Sequence, residues 1–275
     1  MKPPIVILGN KGMIKLMDNL ILNLRKVGML NKVYIIYTDE ETRLHYEKKR
    51  NVILVDVNDS VNVDIPKDYA NYETSLFQNI TMLKYPGIKK VLEETGQDVI
   101  FMDGDIGVWR EFNSYFKDVD KKDVDILCST EVKSLYCSGF TYFKNCNDTL
   151  KFIGRHIEVA ERRSKGNKYF DDQVVFNQLA HMGDNSRSKR CPAKVVPISK
   201  LQFCNGHYLQ RKGQWTEDGK VENGVVRKDM YIAHANWMKG IETKISFLKR
   251  LGLYYVDVPK QNVFQRFCSS IFVKK

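Results

Sequence analysis

Short apolar runs alternate with amphipathic stretches along the first hundred residues. Residues 5–8, 33–37, 52–55 and 99–102 form runs of four or five with no charged break. Such runs are buried on both faces, as in parallel sheets, because a strand with one face in water alternates apolar and polar positions. Between the first two runs, Met13, Leu16, Met17, Leu20 and Leu24 recur at three- and four-residue spacing. That spacing predicts an amphipathic helix from about residue 13 to 27, with Gly28 as its stop. A charged helix is expected over 40–49 and another over 75–84. Pro86 suits the first residue of a third helix, which reaches Thr95 and is stopped by Gly96. This alternation of strand and helix predicts an α/β fold with a Rossmann-like, mostly parallel central sheet flanked by helices.

Further on, strands are expected at 125–129, 139–143, 195–196, 201–204 and 230–233. Asn147 to Arg163 reads as a helix with Leu150, Ile153, Ile157 and Ala160 on one stripe. Shorter helices follow at 171–179 and 241–251. Residues 56–72, 183–194 and 210–228 read as irregular excursions. No repeat and no linker divides the chain. The expectation is one domain over 1–275, with a first half (about 1–130), a smaller second half (about 131–250) and a C-terminal tail (251–275).

The 275 residues carry 44 Lys+Arg against 33 Asp+Glu, a formal charge of +11. The excess favours anionic partners such as nucleotides, phosphates or a membrane surface without choosing among them. No zinc-finger, RRM or KH signature supports nucleic acid as a partner. The six cysteines include no Cys-x-x-Cys, which argues against zinc and for reduced thiols. No stretch is long and apolar enough to span a bilayer, and the N-terminal apolar run is too short for a signal peptide, so a cytoplasmic location is expected. The tail sets Val263, Phe264, Phe267 and Ile271 at helical spacing beside Arg266, Lys274 and Lys275. It reads as a packed helix, with peripheral membrane contact as the alternative.

The chemistry starts at Asp103-Gly104-Asp105, directly after the run Val99–Met102. Two carboxylates at the carboxyl end of a central strand stand where open α/β sheets bind ligands. Hard oxygen ligands of this kind suit Mg²⁺ or Mn²⁺ shared with substrate phosphates. Two other Asp-x-Asp pairs, at 118–120 and 123–125, lie in a Lys-rich segment and read as solvated loop. Gly9-Asn-Lys-Gly12 is neither a dinucleotide fingerprint nor a Walker A loop.

Four stations follow one another: Val99 to Trp109 around Asp103-Gly104-Asp105, Ser138-Gly139-Phe140, Phe170-Asp-Asp-Gln-Val-Val-Phe-Asn177, and His234-Ala-Asn-Trp-Met-Lys-Gly240 with Lys244 beyond. In order and spacing, the series resembles the nucleotide-diphospho-sugar transferases of the GT-A fold. It is most similar to the retaining glycosyltransferase family 77, and more distantly to family 8. The resemblance spans about residues 5–244. It implies a metal-dependent retaining glycosyltransferase with Mn²⁺ or Mg²⁺, a nucleotide-sugar donor expected to be UDP-linked, and a glycan or other hydroxyl acceptor.

On that resemblance, Asp103, Asp105 and His234 are the metal ligands, and Gly104 lets the backbone turn between the first two. Lys244, after Gly240, is the point charge on the diphosphate, and Lys84 lies near the diphosphate or donor sugar. Gly9, Asn10, Thr38 and Asp39 line the nucleoside edge, and Ser138 and Gly139 the donor-sugar strand. Asp172 positions donor sugar and acceptor, and Gln173 faces the oxocarbenium-like transition state. Asp171 is the alternative helix N-cap. One departure stands out: Cys137 occupies a position where relatives often carry Asn, and a thiol is a poor replacement for an amide that binds a sugar hydroxyl. Two rivals remain. One is a nucleotide- or glycan-binding module of the same fold without turnover. The other is an Asp-x-Asp phosphatase, disfavoured by Gly107 where that class places Thr or Val.

Overall fold

A computed structural model of the chain describes residues 2–57, 60, 69–70, 74–117, 119, 123–131, 135–166, 170–181, 191–200, 202–211 and 230–256. The loops expected at 183–190 and 212–228, much of 56–72 and the tail helix at 263–271 lie outside them. In chain order the strands are β1 (Ile5–Gly9), β2 (Val33–Tyr37), β3 (Val52–Val55), β4 (Val99–Met102), β5 (Ile106–Val108), β6 (Ile126–Thr130), β7 (Tyr136–Phe143), β8 (Val195–Pro197), β9 (Phe203–Asn205) and β10 (Ile232–His234). The helices are α1 (Ile14–Lys26), α2 (Glu40–Tyr46), α3 (Ser75–Thr81), α4 (Lys84–Thr95), α5 (Asn113–Phe116), α6 (Asn147–Ser164), α7 (Asp172–His181), α8 (Gly206–Arg211) and α9 (Ile241–Arg250).

A seven-stranded sheet runs β3-β2-β1-β4-β7-β6-β8. Strands β1 to β4 are mutually parallel, and β7 joins β4 antiparallel. The unbroken apolar runs are explained by burial on both faces. Val6, Tyr34, Val99 and Phe101 enter one core, while Ile7, Ile35, Ile100 and Met102 enter the other. The strand order reverses between β1 and β4, and this is where an open α/β sheet leaves a crevice at its strand ends. Gly9-Asn10 and Asp103 flank it.

Helix boundaries follow their caps. Asp39 caps α2 by accepting from the Thr42 N–H, and Gly96 closes α4 at φ +63°, a left-handed conformation that suits glycine. The stretch expected as one helix over 75–84 ends at Thr81, and α4 starts at Lys84, so Pro86 is its third residue rather than its first. Pro is tolerated there because first-turn N–H groups have no partner inside the helix.

The strand carrying His234 does not join the central sheet. Instead, β10 is the middle strand of a separate three-stranded sheet, β5-β10-β9. The turn at Gly104 reverses the chain, so that Ile106–Val108 pairs antiparallel with Ile232–His234. Buried asparagines on α1 brace this second layer. Asn23 Oδ1 accepts from Val108 N–H at 3.0 Å, and Asn19 Nδ2 donates to Leu253 O at 2.9 Å.

Candidate metal centre and its surroundings

The backbone fixes this site before any side chain does. Asp103 N–H donates to Gly139 O at 2.8 Å, tying the end of β4 to β7, and Ala235 N–H donates to Asp105 O at 3.1 Å, tying the turn to the end of β10. His234 pairs with Ile106 in the ladder, directly beside Asp105. His234 Nε2 therefore lies 3.2 Å from Asp105 Oδ1 and 3.4 Å from Asp103 Oδ2. One ligand atom from each of the three residues falls within 4.8 Å of the others. Two carboxylates and an imidazole on one point fit a divalent cation. Gly139 keeps the space open, because a Cβ there would collide with Asp103 Oδ2 and His234 Cε1. Gly104 is needed for packing: a Cβ on it would come within 2.9 Å of Met17 Cγ on α1.

Two lysines balance the acids. Lys244 Nζ, from the first turn of α9, lies 2.5 Å from Asp105 Oδ2. Gly240 caps that helix at φ +81°, and its carbonyl accepts from Lys244 N–H. Burial disfavours an ionised Asp105, yet Lys244 and His234 hold its carboxyl well below the usual carboxylate range. Burial likewise opposes a charged His234, but Asp105 and its other neighbours push its pKa well above the ordinary value. Asp103 keeps 36% of its side chain open against 3% for Asp105, so the centre faces solvent on the Asp103 side.

Beside it lies a second buried cluster. Lys84 Nζ, at the start of α4, contacts Asp172 Oδ2 at 2.6 Å, Ser138 Oγ at 3.3 Å and Asp103 Oδ1 at 3.7 Å. Ser138 Oγ donates to Asp172 Oδ2 at 2.7 Å, and Ser138 N–H donates to Gln173 Oε1 at 3.2 Å. Asp171 is the N-cap of α7, accepting from Val174 N–H at 2.8 Å, which leaves Asp172 to turn inward. Asn177 Nδ2, one turn on, donates to Gln173 O and Tyr136 O, both at 2.9 Å, and pins α7 to β7. The residues expected to line a nucleoside edge gather at the ends of β1 and β2. Asn10, Thr38 and Asp39 are buried, and Asp39 Oδ2 accepts from Lys11 N–H at 2.8 Å. Asp39 thus holds its loop together as well as capping α2.

Several contributors were not singled out for these roles from sequence. His156 on α6 stacks on Tyr85 at 3.5 Å, and its Nε2 lies 2.9 Å from Asp172 O. Asn236 and Glu131 join Cys137 behind His234. Trp237 is 53% exposed at φ +65°, the one non-glycine residue with positive φ among the described residues. Its ring faces that of His207 at 4.8 Å. A bulky residue in that conformation is a strained position, and strain of this kind gathers at functional sites. The sequence signal was available in His234-Ala-Asn-Trp237, where an indole follows the imidazole by three residues.

A family profile described as nucleotide-diphospho-sugar transferase matches residues 28–248, most of the chain. The chain belongs to that family. Solved structures agree on the transferase fold. The galactosyltransferase LgtC, in complex with donor and acceptor sugar analogs, superposes with a TM-score of 0.58 at 12% identity, covering 95% of this chain and 99% of LgtC. The glycosyltransferase GlyE of Streptococcus pneumoniae gives 0.54 at 12% identity, covering 98% of this transferase and 64% of GlyE. Mouse xyloside xylosyltransferase 1 gives 0.52 at 12% identity, covering 88% and 100%. No curated protein matches the chain by sequence. The architecture is thus the GT-A type, and Asp103, Asp105 and His234 are a group that could hold a metal ion. No helix among the described residues is long and apolar enough to cross a membrane.

Proposed function

We propose that this transferase moves a sugar from a nucleotide-diphosphate donor, UDP-linked, to a hydroxyl of a glycan or glycoconjugate, with a divalent ion and with retention at the anomeric carbon. The observation that carries the reading is the convergence of Asp103, Asp105 and His234, with Lys244 beside them. Those three residues would hold the ion, Mn²⁺ or Mg²⁺, which would supply Lewis-acid stabilisation of a departing diphosphate. Lys244, beside Asp105, would neutralise a phosphate oxygen as a point charge. Gly9, Asn10, Thr38 and Asp39 hold the nucleoside. Ser138, Gly139 and Lys84 line the donor sugar, Asp172 orients it, and the Gln173 side chain faces its anomeric carbon.

The setting of Asp172 supports a front-side course. Its Oδ2 already accepts from Lys84 and Ser138, which makes it a weak nucleophile. In that course the bond from anomeric carbon to phosphate oxygen breaks, and the bond to the acceptor oxygen forms on the same face. The acceptor proton passes to the departing phosphate oxygen. Trp237, exposed three residues past His234, offers a ring face on which an acceptor sugar can stack.

The test is a screen of UDP- and GDP-sugars for hydrolysis in the presence of Mn²⁺, with EDTA and the variants Asp103→Asn and Asp105→Asn as controls. Donor hydrolysis that is lost with EDTA and in both variants is expected. Turnover indifferent to both would overturn the reading. Binding of UDP and Mn²⁺ with no hydrolysis of any donor would make the protein a module without turnover, and release of phosphate from a simple aryl phosphate would make it a phosphatase.

A further inference from the structure

His234 can lend its Nε2 lone pair to a cation only while Nδ1 carries the ring proton, so what faces Nδ1 decides how well His234 serves. The group facing it is a sulfur. Cys137 Sγ, on β7, lies 3.7 Å from His234 Nδ1. The same sulfur takes a contact from Asn236 Nδ2 at 3.6 Å. Both neighbours present nitrogen, and the amide nitrogen can only donate. The sulfur is therefore set up as an acceptor. Sulfur is a weak acceptor, but it is large and polarisable and accepts at these longer distances.

Asn236 is itself held in place. Its Nδ2 also donates to Glu131 Oε1 at 3.2 Å, and its Oδ1 accepts from Gly206 N–H at 2.7 Å. Gly206 has no room for a side chain, since a Cβ there would strike the Asn236 carbonyl oxygen. The chain of contacts thus runs from the end of β6 through Asn236 to Cys137 and on to the back of the imidazole. Cys137 is 2% exposed, so water does not compete for its place.

We infer that Cys137, held by Asn236, is a positioning residue for His234: its sulfur accepts a hydrogen bond from the Nδ1–H, fixes the ring's tautomer and angle, and keeps Nε2 aimed between Asp103 and Asp105. This rests on the metal-dependent reading above. It also gives the cysteine a role other than that of the amide it replaces, because the thiol serves the imidazole and leaves Ser138 to the donor sugar.

Two substitutions separate hydrogen bonding from packing. Cys137→Val fills the space, suits a strand and accepts nothing. Cys137→Ser accepts a hydrogen bond but underfills the site. Mn²⁺ binding to the full chain is followed by loss of the free-ion electron paramagnetic resonance signal, with Mn²⁺ alone and with Mn²⁺ plus UDP. Affinity is expected to fall about tenfold or more in Cys137→Val and to stay within about threefold of the parent in Cys137→Ser. Should Cys137→Val not fold, as judged by circular dichroism, Cys137→Ala carries the comparison. Equal affinity in the Val variant and the parent, or a Ser variant weaker than the Val variant, would overturn the proposal. If the folded parent itself takes up no Mn²⁺ under either condition, the metal reading fails and takes this proposal with it. If the parent binds and only the ranking of variants is wrong, the metal reading stands.

Discussion

Lys84 Nζ sits 2.6 Å from Asp172 Oδ2, and each side chain is only 4% exposed. A lysine and an aspartate that meet this deeply are not a surface ion pair. Each has been taken out of water, and each relies on the other and on Ser138 for compensation.

Removing one partner should therefore cost more than removing both. Lys84→Met is expected to lose about 3–5 kcal/mol of unfolding free energy by leaving the Asp172 charge buried and uncompensated. The double variant Lys84→Met/Asp172→Asn should lose less than the sum of the two single changes. Urea melts of the four proteins check this, and strict additivity would show that the pair does not interact.

Gly139→Ala tests the space at the centre. A methyl group there meets Asp103 and His234 directly. Mn²⁺ affinity should fall about tenfold or more while the far-ultraviolet circular dichroism stays that of the parent. Unchanged affinity would mean that an ion does not use this space.

Trp237 couples strain to use. Its positive φ costs on the order of 1–3 kcal/mol, and glycine adopts that conformation freely. Trp237→Gly should be at least as stable as the parent by thermal melting. Its kcat/KM for transfer to a glycan acceptor should fall about tenfold or more, while metal-dependent donor hydrolysis stays within about twofold. Loss of hydrolysis along with transfer would place Trp237 on the donor side.

His156 sets a pH dependence. Burial pushes its imidazole down to about 4, so it folds neutral. The unfolded chain, with a pKa near 6.5, binds the proton first as pH falls. Stability from this residue is present above about pH 6.5 and drains away toward pH 4, by about 2 kcal/mol between pH 7 and pH 5. His156→Phe keeps a ring against Tyr85 and should lose that part of the slope. Urea melts at pH 7, 6 and 5 for both proteins give the comparison, and parallel slopes would count against a neutral His156.

The parallel part of the central sheet was legible because its strands are buried on both faces. Val33–Tyr37, Val52–Val55 and Val99–Met102 fall where the apolar runs placed them. The β5-β10-β9 sheet was legible only in part. Strands expected at 201–204 and 230–233 overlap β9 and β10, whereas β5, three residues long, gave no period, and the pairing depends on a reversal at Gly104 between distant parts of the chain. Of the site, Asp103, Asp105 and His234 were named from sequence, and the structure gathers them together. The Lys84–Asp172–Ser138 cluster was named only as separate members, because nothing in spacing reveals that α4, α7 and β7 meet there. The asparagines at 19, 23 and 236 were missed for a similar reason. Asn reads as a loop residue until its buried partners are known.

The short ladder between Ile106–Val108 and Ile232–His234 has a bearing on how the protein comes into being. Asp103 and Asp105 are made early in synthesis and wait for His234 across more than a hundred residues. Until β10 has left the ribosome, the two carboxylates have neither the imidazole nor Lys244 beside them. A nascent chain halted at residue 230 should thus carry a largely formed seven-stranded sheet and, on the metal-dependent reading, take up no Mn²⁺.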